Sequence, residues 1–477
     1  MTQQTGIDAI GFYIPSLVVS MKDLAEARNI PFEKLNLGLG LSAMSIPDAD
    51  EDAGSFAANA LLHLIENNQV DPKTIGRIYL GTESAVDGSK PTATYAVGAV
   101  EQLLASKYGT RSFKNCDVVD MTFACVGAVD AFHNCVDWVR GDASRKAIVI
   151  ASDVSKYELN STGEYTQGAG AVAVLITQNP SIITIDDCWG VGMESVNDFF
   201  KPRREVSRLD IISDLKDVLN LSDSIENIDH TLLQSSSEFW QERKSRIELF
   251  KEEPVFEGQY SNQCYENRVS EALAHFTAQK TTNFIDEWHH LIFHLPYAFH
   301  GRRIIFNNWL KWIENTDFQK DLVLEIGELR PSHETDWNKA ARKSKVYKTF
   351  VQDRIAPSEQ ASSEIGNMYT ASIFMALVSL LSNGIAQSKD LSGNMIGFIA
   401  YGSGSKSKVF QGTIQPTWAD NVASLGLFET LEKRQKTSVM DYELLHNLKI
   451  NSPLTRGGVR LRSIDAAGDF KGYRNYR

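Results

Sequence analysis

One cysteine has the sequence setting of a reactive thiol. Cys125 follows an apolar run that is typical of a buried strand, and apolar residues recur after it at helical spacing, namely Val129, Phe132, Val136 and Val139. The pattern predicts a buried helix that begins at Cys125. Unpaired N–H groups and the positive dipole end at a helix start favour a thiolate by about 0.3–1 kcal/mol when exposed, and up to roughly 2 kcal/mol when partly buried. Cys125 is therefore a candidate nucleophile.

The alternative for Cys125 is a small packing residue, which is the commoner role of a free cysteine in an apolar segment. Cys135 is the internal comparison, because it lies in the middle of the same predicted helix and is expected only to pack. The cysteines are odd in number, scattered and without a CxxC pair, which excludes a disulfide framework and a zinc site: Cys116, Cys125, Cys135, Cys188 and Cys264.

The elements that must position Cys125 alternate between short apolar runs and segments of helical period. The alternation predicts an α/β protein whose sheets are covered on both faces, and its return late in the chain predicts two similar halves. The runs expected to be buried strands are Arg77–Gly81, Asp117–Met121, Ala147–Ala151 and Ala171–Ile176, and later Leu291–Phe293 and Met395–Tyr401.

The segment of about residues 203–254 differs in composition from both halves. It is charged and poor in glycine, with Leu and Ile at helical spacing in SDLKDVLNL and QERKSRIELF, and it is predicted to be a helical insertion. After about Gly412 the chain mixes Pro, Gly and Arg with a few short helix-compatible runs, and NSPLTRGGVRLRS is predicted to be loop or edge strand. The predicted divisions are an N-terminal half 1–180, a connecting region 181–282, a C-terminal half 283–412 and an extension 413–477.

Composition excludes several classes of function. The chain has 477 residues, of which 43% are hydrophobic, enough for two cores or one large layered core. A net charge of -12 argues against a nucleic-acid-binding surface. The N-terminus lacks the features of a secretory signal, and the apolar stretch Ile373–Leu381 is too short to span a bilayer, so we expect a cytoplasmic protein without a membrane partner.

Two glycine-rich motifs are ambiguous on their own. GAGAV at Gly168–Val172 precedes a strand instead of opening a helix after one, and it lacks the full GxGxxG spacing, so no nicotinamide cofactor is expected. Gly402-Ser403-Gly404 follows a predicted strand and is by itself only a turn.

Ten short motifs follow one another in a fixed order over about residues 5–412, leaving out the insertion. They are GIDAIGFYIP, DLAEARNI, GTESAVDGSKP, FAC at Cys125, ASDVSKYELNSTGEYTQGAGAVAVLI, NDFFKP, EPVFEGQYS, FHLPY, GNMYTASIF and YGSGS. The set resembles the 3-hydroxy-3-methylglutaryl-CoA synthases. The resemblance implies a thiolase-like fold of two related halves stacked as five alternating αβαβα layers, with the active site where they meet. The sequence departs from the pattern at Val126, where a tyrosine is common, and at Tyr165, where a proline is usual.

The resemblance implies catalytic roles for three residues. Cys125 corresponds to the cysteine that takes the acetyl group of acetyl-CoA as a thioester. Glu83 in GTES corresponds to the base that removes a proton from the acetyl methyl group, although an isolated glutamate there would be read as a solvated strand end. His294 in FHLPY corresponds to the donor to the ketone oxygen of acetoacetyl-CoA. The implied products are 3-hydroxy-3-methylglutaryl-CoA and CoA, for the mevalonate pathway.

The resemblance also implies a set of binding residues. Asn367 corresponds to an asparagine near the acetoacetyl group, the alternative being a helix N-cap. The N–H groups of Ser403, in the turn after Gly402, and of Cys125 are the implied oxyanion donors, each worth about 2.7–4 kcal/mol of barrier lowering. Asp153, Tyr157, Thr166 and Pro296 are expected to line the acyl pocket.

Three more residues carry roles implied by the resemblance. Asp198 in NDFFKP is expected to support the catalytic histidine. Arg302 and Arg303 stand where lysines are frequent and suit CoA phosphates, although a solvated helix face explains them equally well. The neighbouring histidines are taken as packing or surface residues, so neither a metal nor any other cofactor is expected: His289, His290 and His300.

Several functional alternatives stay open on the sequence. A related class of synthase adds the acetyl carbon to a β-ketoacyl group held on an acyl-carrier protein in polyketide assembly. A silent scaffold is disfavoured because Cys125, Glu83 and His294 are all present. A cysteine hydrolase would cleave thioesters without forming a carbon–carbon bond. The resemblance also implies a homodimer.

Overall fold

The computed structural model describes residues 4–219, 246–249, 251–329 and 333–477. The chain forms two compact units, one made of Met1–Asp198 with Glu257–Arg477 and the other of Phe199–Phe256. The predicted divisions near residues 180, 282 and 412 stay predictions.

The strands, in chain order, are β1 (Thr5–Tyr13), β2 (Leu17–Ser20), β3 (Ala43–Ile46), β4 (Arg77–Gly81), β5 (Asp117–Met121), β6 (Ala147–Ser155), β7 (Gly168–Gln178), β8 (Ile183–Ile185), β9 (Gly190–Met193), β10 (Phe199–Phe200), β11 (Arg204–Ser207), β12 (Arg246–Leu249), β13 (Val255–Phe256), β14 (His290–Phe293), β15 (Met395–Gly402), β16 (Lys406–Ile414), β17 (Gln435–Lys436), β18 (Leu461–Ile464) and β19 (Arg474–Tyr476).

The α-helices are Met21–Ala27, Ala53–Asn67, Thr92–Tyr108, Gly127–Arg140, Arg208–Leu219, Gly258–Gln279, Phe284–Glu287, His300–Ile304, Phe306–Trp312, Asp317–Ile326, Glu334–Lys343, Lys345–Arg354, Ala356–Ile365, Ser372–Ala386, Trp418–Val422, Leu427–Glu432 and Val439–His446. Single short turns of other helix types cover Lys34–Gly38, Pro72–Thr74, Glu164–Thr166 and Tyr369–Ala371.

The larger unit is built on a ten-stranded mixed sheet. Its order is β14-β15-β16-β8-β1-β7-β6-β4-β5, with β9 paired to β16. β4 is parallel to both β5 and β6, and β14 is parallel to β15, whereas the remaining pairs are antiparallel. All six predicted runs form strands, β4 and β5 with the predicted bounds and the others with longer ones. The prediction of burial is wrong for β5, which is an edge strand of the sheet and whose residues are exposed or half-buried.

Successive side chains of β6 point to opposite faces of the sheet, and both faces are covered by helices. Ile148 and Ile150 pack into one core with the helices Ala53–Asn67 and Thr92–Tyr108, while Val149 packs into another core with the helix Gly127–Arg140. Because both sets of alternate positions are buried in a core, this part of the strand is apolar throughout.

The helix Gly127–Arg140 contacts elements from the second half of the chain. Its Phe132 ring is 5.6 Å from the ring of Phe374, on the helix Ser372–Ala386, and 5.9 Å from that of Phe410 in β16. The helix Gly258–Gln279 packs against β9, β15 and β16. Helices therefore cover the sheet on both faces, as the α/β prediction requires.

The unit Phe199–Phe256 has a different make-up from the one predicted. β10 pairs with β13, and β11 pairs with β12, both antiparallel. The first predicted helical run lies largely in the helix Arg208–Leu219, but the second, QERKSRIELF, contains strand β12, because its alternating polar and apolar residues also fit a strand. Residues 220–245 and 250 of the predicted insertion lie outside the described residues.

The extension after residue 412 contains three short helices, as its helix-compatible runs predict, and β17 pairs with β2. NSPLTRGGVRLRS is loop that runs into β18, as predicted. In the described chain, the stretch Tyr369–Ala386 passes a length and apolarity test for a membrane span, and 83% of it is buried in the protein, as is typical of a core helix.

Candidate active site

The nucleophile loop connects β5 to the helix Gly127–Arg140. Cys125 is buried there, but it lies two residues before the helix, whose N-cap is Val126, so the prediction that it opens the helix is wrong. The physical reason is Ala124, whose φ of +37° turns the chain in the left-handed region, which few non-glycine residues adopt. The thiol still lies next to the helix N-terminus.

Glu83 lies directly beside the thiol. The Sγ of Cys125 donates a hydrogen bond to Oε1 of Glu83 over 2.8 Å. The sheet explains the meeting, because β4 and β5 are parallel with Gly81 opposite Met121, so the segments that follow them leave the same edge. A carboxylate at this distance can accept the thiol proton.

Asp153 fixes the backbone that carries Glu83. Its fully buried carboxylate accepts hydrogen bonds from the Glu83 N–H at 2.7 Å and from the hydroxyl groups of Thr82 and Ser84 at 3.0 Å. It also accepts from the N–H and hydroxyl of Thr370, at 3.0 and 2.6 Å. Asp153 therefore positions Glu83, a role the sequence did not predict, because these partners are distant in sequence.

His294 follows β14 and is buried, with an exposed fraction of 2%. Burial lowers the pKa of its imidazole to about 3, against a weaker opposing effect of a hydrogen bond to the backbone of Tyr369. Among the described residues, its Nδ1 has no hydrogen-bond partner. The side chain is therefore neutral near pH 7 and can offer an N–H to a substrate oxygen.

Two buried tyrosines link His294 to the thiol. The ring of Tyr265 stacks on His294 with centroids 6.2 Å apart, and burial followed by the charge of Cys125 raises the Tyr265 pKa. The pKa of Tyr369 is raised by burial and then by Tyr157, Glu83 and Cys125. Because the Tyr369 backbone also holds the imidazole, this segment brings the thiol, the carboxylate and the imidazole into one site.

Acid should weaken the fold through the buried histidines. Burial lowers the pKa of His290, on β14, to about 4, whereas an unfolded histidine has a pKa of about 6.5. Between these values the unfolded chain binds more protons, so the free energy of unfolding falls as the pH drops, by about 1.4 kcal/mol per pH unit for each such histidine. Thermal melts followed by circular dichroism between pH 7 and 5 measure this loss.

The matched variant for this test is His290→Gln. The melting-temperature loss from pH 7 to pH 5 should be smaller in the variant than in the wild type. Taking the difference separates His290 from buried carboxyl groups such as Glu51 and Glu359, whose raised pKa values act in the opposite sense. Identical pH dependence of the two proteins would contradict the assignment.

Asn367 stabilises the turn that precedes the helix Ser372–Ala386, but the alternative of an N-cap is wrong, because the N-cap of that helix is Ala371. Its Oδ1 accepts from the Tyr369 N–H at 2.8 Å, and its own N–H donates to the Thr166 carbonyl at 2.9 Å. The glycine motif explains the close approach, because a methyl group at Gly168 would lie 2.8 Å from the Asn367 backbone nitrogen. GAGAV therefore belongs to β7 and allows two backbones to meet.

The turn at Ser403 lies against the nucleophile loop. A methyl group at Gly402 would lie 2.7 Å from Val126 Cγ1 and 2.8 Å from the Phe123 carbonyl oxygen, so only glycine permits this approach. The hydroxyl of Ser403 hydrogen-bonds to Tyr401. The turn thus adjoins the residues on either side of Cys125, the place where an oxyanion donor is needed.

Asp198 supports this turn and not the histidine. Its carboxylate is fully buried and accepts from the Tyr401 hydroxyl at 2.5 Å and from the Gly404 N–H at 2.7 Å. Among the described residues none of its hydrogen bonds reaches His294, and the two are separated by the stacked rings of Tyr401 and Tyr265. The expected support of the imidazole is therefore indirect.

The two arginines have protein partners. Arg302 forms an ion pair with the buried carboxylate of Glu359, so its guanidinium serves the fold. Arg303 donates to the Gly38 carbonyl at 2.5 Å and lies 5.4 Å from the ring centroid of Tyr297. The partners are distant in sequence, which is why local reasoning read these residues as phosphate ligands or as a solvated face.

The remaining expected residues fall around the same site. Pro296 lies in the loop after β14, and Tyr157 is buried with hydrogen bonds to Thr166 and Tyr369. His300 is buried between tyrosine rings, and in the described chain no group of three or more His, Cys, Asp or Glu side chains is arranged to hold a metal. Three tyrosines of the site were not predicted from the sequence: Tyr265, Tyr369 and Tyr401. Tyr369 belongs to the motif GNMYTASIF and Tyr401 to the motif YGSGS.

Known proteins match this chain over most of its length. Two family models, described as hydroxymethylglutaryl-coenzyme A synthase N terminal and C terminal, match residues 1–181 and 224–454. The chain belongs to the hydroxymethylglutaryl-CoA synthase family. The predicted resemblance is therefore confirmed, and the protein is an acyltransferase of the acyl-CoA condensing type.

Individual relatives of this synthase agree in length and fold. A hydroxymethylglutaryl-CoA synthase of Haloferax volcanii is 28% identical over 458 residues, which is 93% of this chain and 91% of the relative. The structure of MvaS in complex with 3-hydroxy-3-methylglutaryl coenzyme A matches with a TM-score of 0.76 and 27% identity, over 100% of this chain and 99% of that one.

A polyketide-pathway structure has the same fold at lower identity. The Curacin biosynthetic pathway HMG synthase in complex with acetyl donor-ACP matches with a TM-score of 0.73 and 21% identity, over 100% of both chains. At this identity the likeness shows the fold alone. The thiolase-like fold predicted for this synthase is confirmed.

Proposed function

We propose that this synthase joins the acetyl group of acetyl-CoA to acetoacetyl-CoA and releases 3-hydroxy-3-methylglutaryl-CoA and CoA. The hydrogen bond of 2.8 Å between the Cys125 thiol and the Glu83 carboxylate carries the proposal. It supports a nucleophile with a base beside it, next to a buried neutral imidazole.

The first step loads the enzyme. Glu83 accepts the thiol proton while Cys125 Sγ attacks the carbonyl carbon of acetyl-CoA. The C–S bond to CoA then breaks, and CoA leaves as the thiol after taking up one proton. The product is acetyl-Cys125, and dividing the condensation in this way replaces one difficult step with easier ones.

The second step forms the carbon–carbon bond. Glu83 removes a proton from the acetyl methyl group, and the carbon attacks the ketone of acetoacetyl-CoA. An N–H of neutral His294 donates a hydrogen bond to the ketone oxygen as negative charge develops there, and that oxygen becomes the new hydroxyl by taking up the proton that Glu83 removed. One proton moves overall from the methyl group to that oxygen, so the charge is unchanged.

Water then releases the product from Cys125. Hydrolysis adds water across the thioester, giving a carboxylic acid and the free thiol. Negative charge develops on the thioester oxygen during acylation, enolisation and hydrolysis, and the N–H groups of Ser403 and Cys125 are the proposed donors. The position of Gly402 against the nucleophile loop supports this choice.

A second candidate acceptor is a β-ketoacyl group on an acyl-carrier protein. A groove of about 750 Å³ is lined by basic residues on this otherwise acidic protein, and a carrier protein is acidic. Three lysines of the groove form no ion pair with any described residue, so they are better test positions than Arg302, which pairs with Glu359. They are Lys343, Lys345 and Lys348.

One assay tests both candidates. Purified protein is mixed with acetyl-CoA, the Cys125 peptide is examined by mass spectrometry for acetyl, and acetoacetyl-CoA or acetoacetyl carrier protein is then added. Formation of 3-hydroxy-3-methylglutaryl-CoA supports the first candidate. Turnover of the carrier protein alone, lost when the three groove lysines become glutamate, would replace it with the second.

The cellular setting and the oligomeric state are proposed from the family resemblance. We place the synthase in the cytoplasm and in the mevalonate pathway of isoprenoid supply, as a homodimer that needs no cofactor beyond its CoA substrates. Light scattering on the purified protein measures the dimer. A monomer with full activity would contradict that part.

A further inference from the structure

Tyr157 places a phenol close to the reacting groups. Its side chain is buried and hydrogen-bonds to Thr166 and Tyr369. Its ring centroid lies 6.5 Å from that of Tyr369, and the next residue, Thr370, shares the Asp153 carboxylate with Glu83. Burial raises the pKa of Tyr157, and the charges of Cys125 and then Glu83 raise it further. A shift of this ring would change the space in which the acetyl group is held.

Tyr157 lies in the loop between β6 and β7, and side chains hold both of its backbone groups. Its N–H donates to Oε1 of Gln167 at 2.7 Å. Its carbonyl accepts a hydrogen bond of 2.8 Å from Nε2 of His446. His446 lies 289 residues after Tyr157 in the chain and is the last residue of the helix Val439–His446.

The same helix also orients the other partner of Tyr157. The Nε2 of Gln167 donates to the Tyr442 hydroxyl at 2.6 Å. That hydroxyl donates in turn to Glu164 at 3.2 Å, and Glu164 is paired with Arg28 at 2.6 Å. The chain of bonds fixes which end of the Gln167 amide faces the Tyr157 backbone.

The bond from His446 does not depend on its charge. A backbone carbonyl can only accept, so Nε2 must carry the proton. Protonation of the other ring nitrogen would leave this donor in place. His446 therefore holds Tyr157 in both of its ionisation states.

We propose that Tyr442 and His446 are positioning residues for the acyl pocket, acting through the backbone of Tyr157. The inference rests on the proposed function, since it assigns these residues to the site around acetyl-Cys125. A misplacement of about 1 Å at such a site can cost roughly 10²-fold in rate. The C-terminal helix is thus part of the machinery that sets turnover.

The test compares two substitutions of one residue. His446→Leu removes the donor, whereas His446→Gln keeps an N–H near the position of Nε2. We expect kcat, divided by the fraction of enzyme that acetylates on Cys125, to fall about tenfold in His446→Leu. In His446→Gln this normalised kcat should be within about threefold of the wild-type value. In Tyr442→Phe it should lie between the values of the two His446 variants.

Leu445→Ala is the matched control on the same helix. Leu445 is buried in the small core that anchors the helix and does not take part in the hydrogen bonds to Tyr157. It should lower the melting temperature and leave kcat per acetylated site unchanged. Equal kcat losses in Leu445→Ala and His446→Leu, or no loss in His446→Leu, would overturn the inference. A wild type that fails to acetylate would instead defeat the proposed function.

Discussion

Replacing Cys125 by alanine is expected to abolish both acetylation and synthase turnover. The thiol is the atom that would carry the acetyl group, and its hydrogen bond to Glu83 marks it as the nucleophile. Removing the nucleophile of a covalent enzyme lowers kcat by on the order of 10⁴- to 10⁶-fold. Mass spectrometry after incubation with acetyl-CoA, together with steady-state rates of product formation, measures both losses.

The control for this variant is Cys135→Ala. Burial raises the pKa of the Cys135 thiol to about 12, and the residue packs in the core in the middle of the helix, so it should be unreactive. The control should unfold at a somewhat lower temperature because a buried sulfur is lost, yet acetylate normally. Acetyl found on Cys135 in the wild type, or turnover in Cys125→Ala, would contradict the assignment.

The second large effect is expected for Glu83→Gln. An amide has nearly the same shape as the carboxylate but cannot accept the methyl proton, so condensation should slow by about 10²- to 10⁴-fold. Because Glu83 also accepts the thiol proton, acetylation should slow as well, but acetyl-Cys125 should still accumulate. Exchange of the acetyl methyl hydrogens with deuterated water gives a direct measure of proton removal.

Glu66→Gln is the matched control, because Glu66 is an exposed carboxylate near the end of the helix Ala53–Asn67. It should match the wild type in acetylation, hydrogen exchange and condensation. If Glu83→Gln exchanged its methyl hydrogens at the wild-type rate, another residue would have to be the base.

The strands of the site were predictable because their signal is local. The bounds of β4 and β5 follow from apolar runs that end in turn residues, and a parallel pair then brings Glu83 and Cys125 to one edge. The helix start was misplaced by two residues because the left-handed turn at Ala124 leaves no mark in the apolar spacing. Backbone geometry of this kind is decided by packing, not by residue type.

The roles of charged residues were harder to predict because their partners are remote. Asp198 meets Tyr401, 203 residues later, and Arg302 meets Glu359, 57 residues later. Neither pairing has a local sequence signal, so family resemblance suggested contacts with the histidine and with CoA. The residues around Cys125, by contrast, made it a candidate nucleophile, although they also fit a packing cysteine, and the family resemblance favoured the first of these.

The carboxylate of Asp153 makes the position of Glu83 depend on a residue that is synthesised much later. Asp153 holds the Glu83 backbone with one oxygen and Thr370 with the other, so residues from early and late in the sequence meet on a single side chain. A nascent chain that has not yet produced Thr370 lacks two of the five hydrogen bonds that the Asp153 carboxylate accepts from these residues and their neighbours. Synthesis must therefore run past residue 370 before Glu83 is secured beside the thiol, which delays the reactive arrangement until most of the protein has left the ribosome.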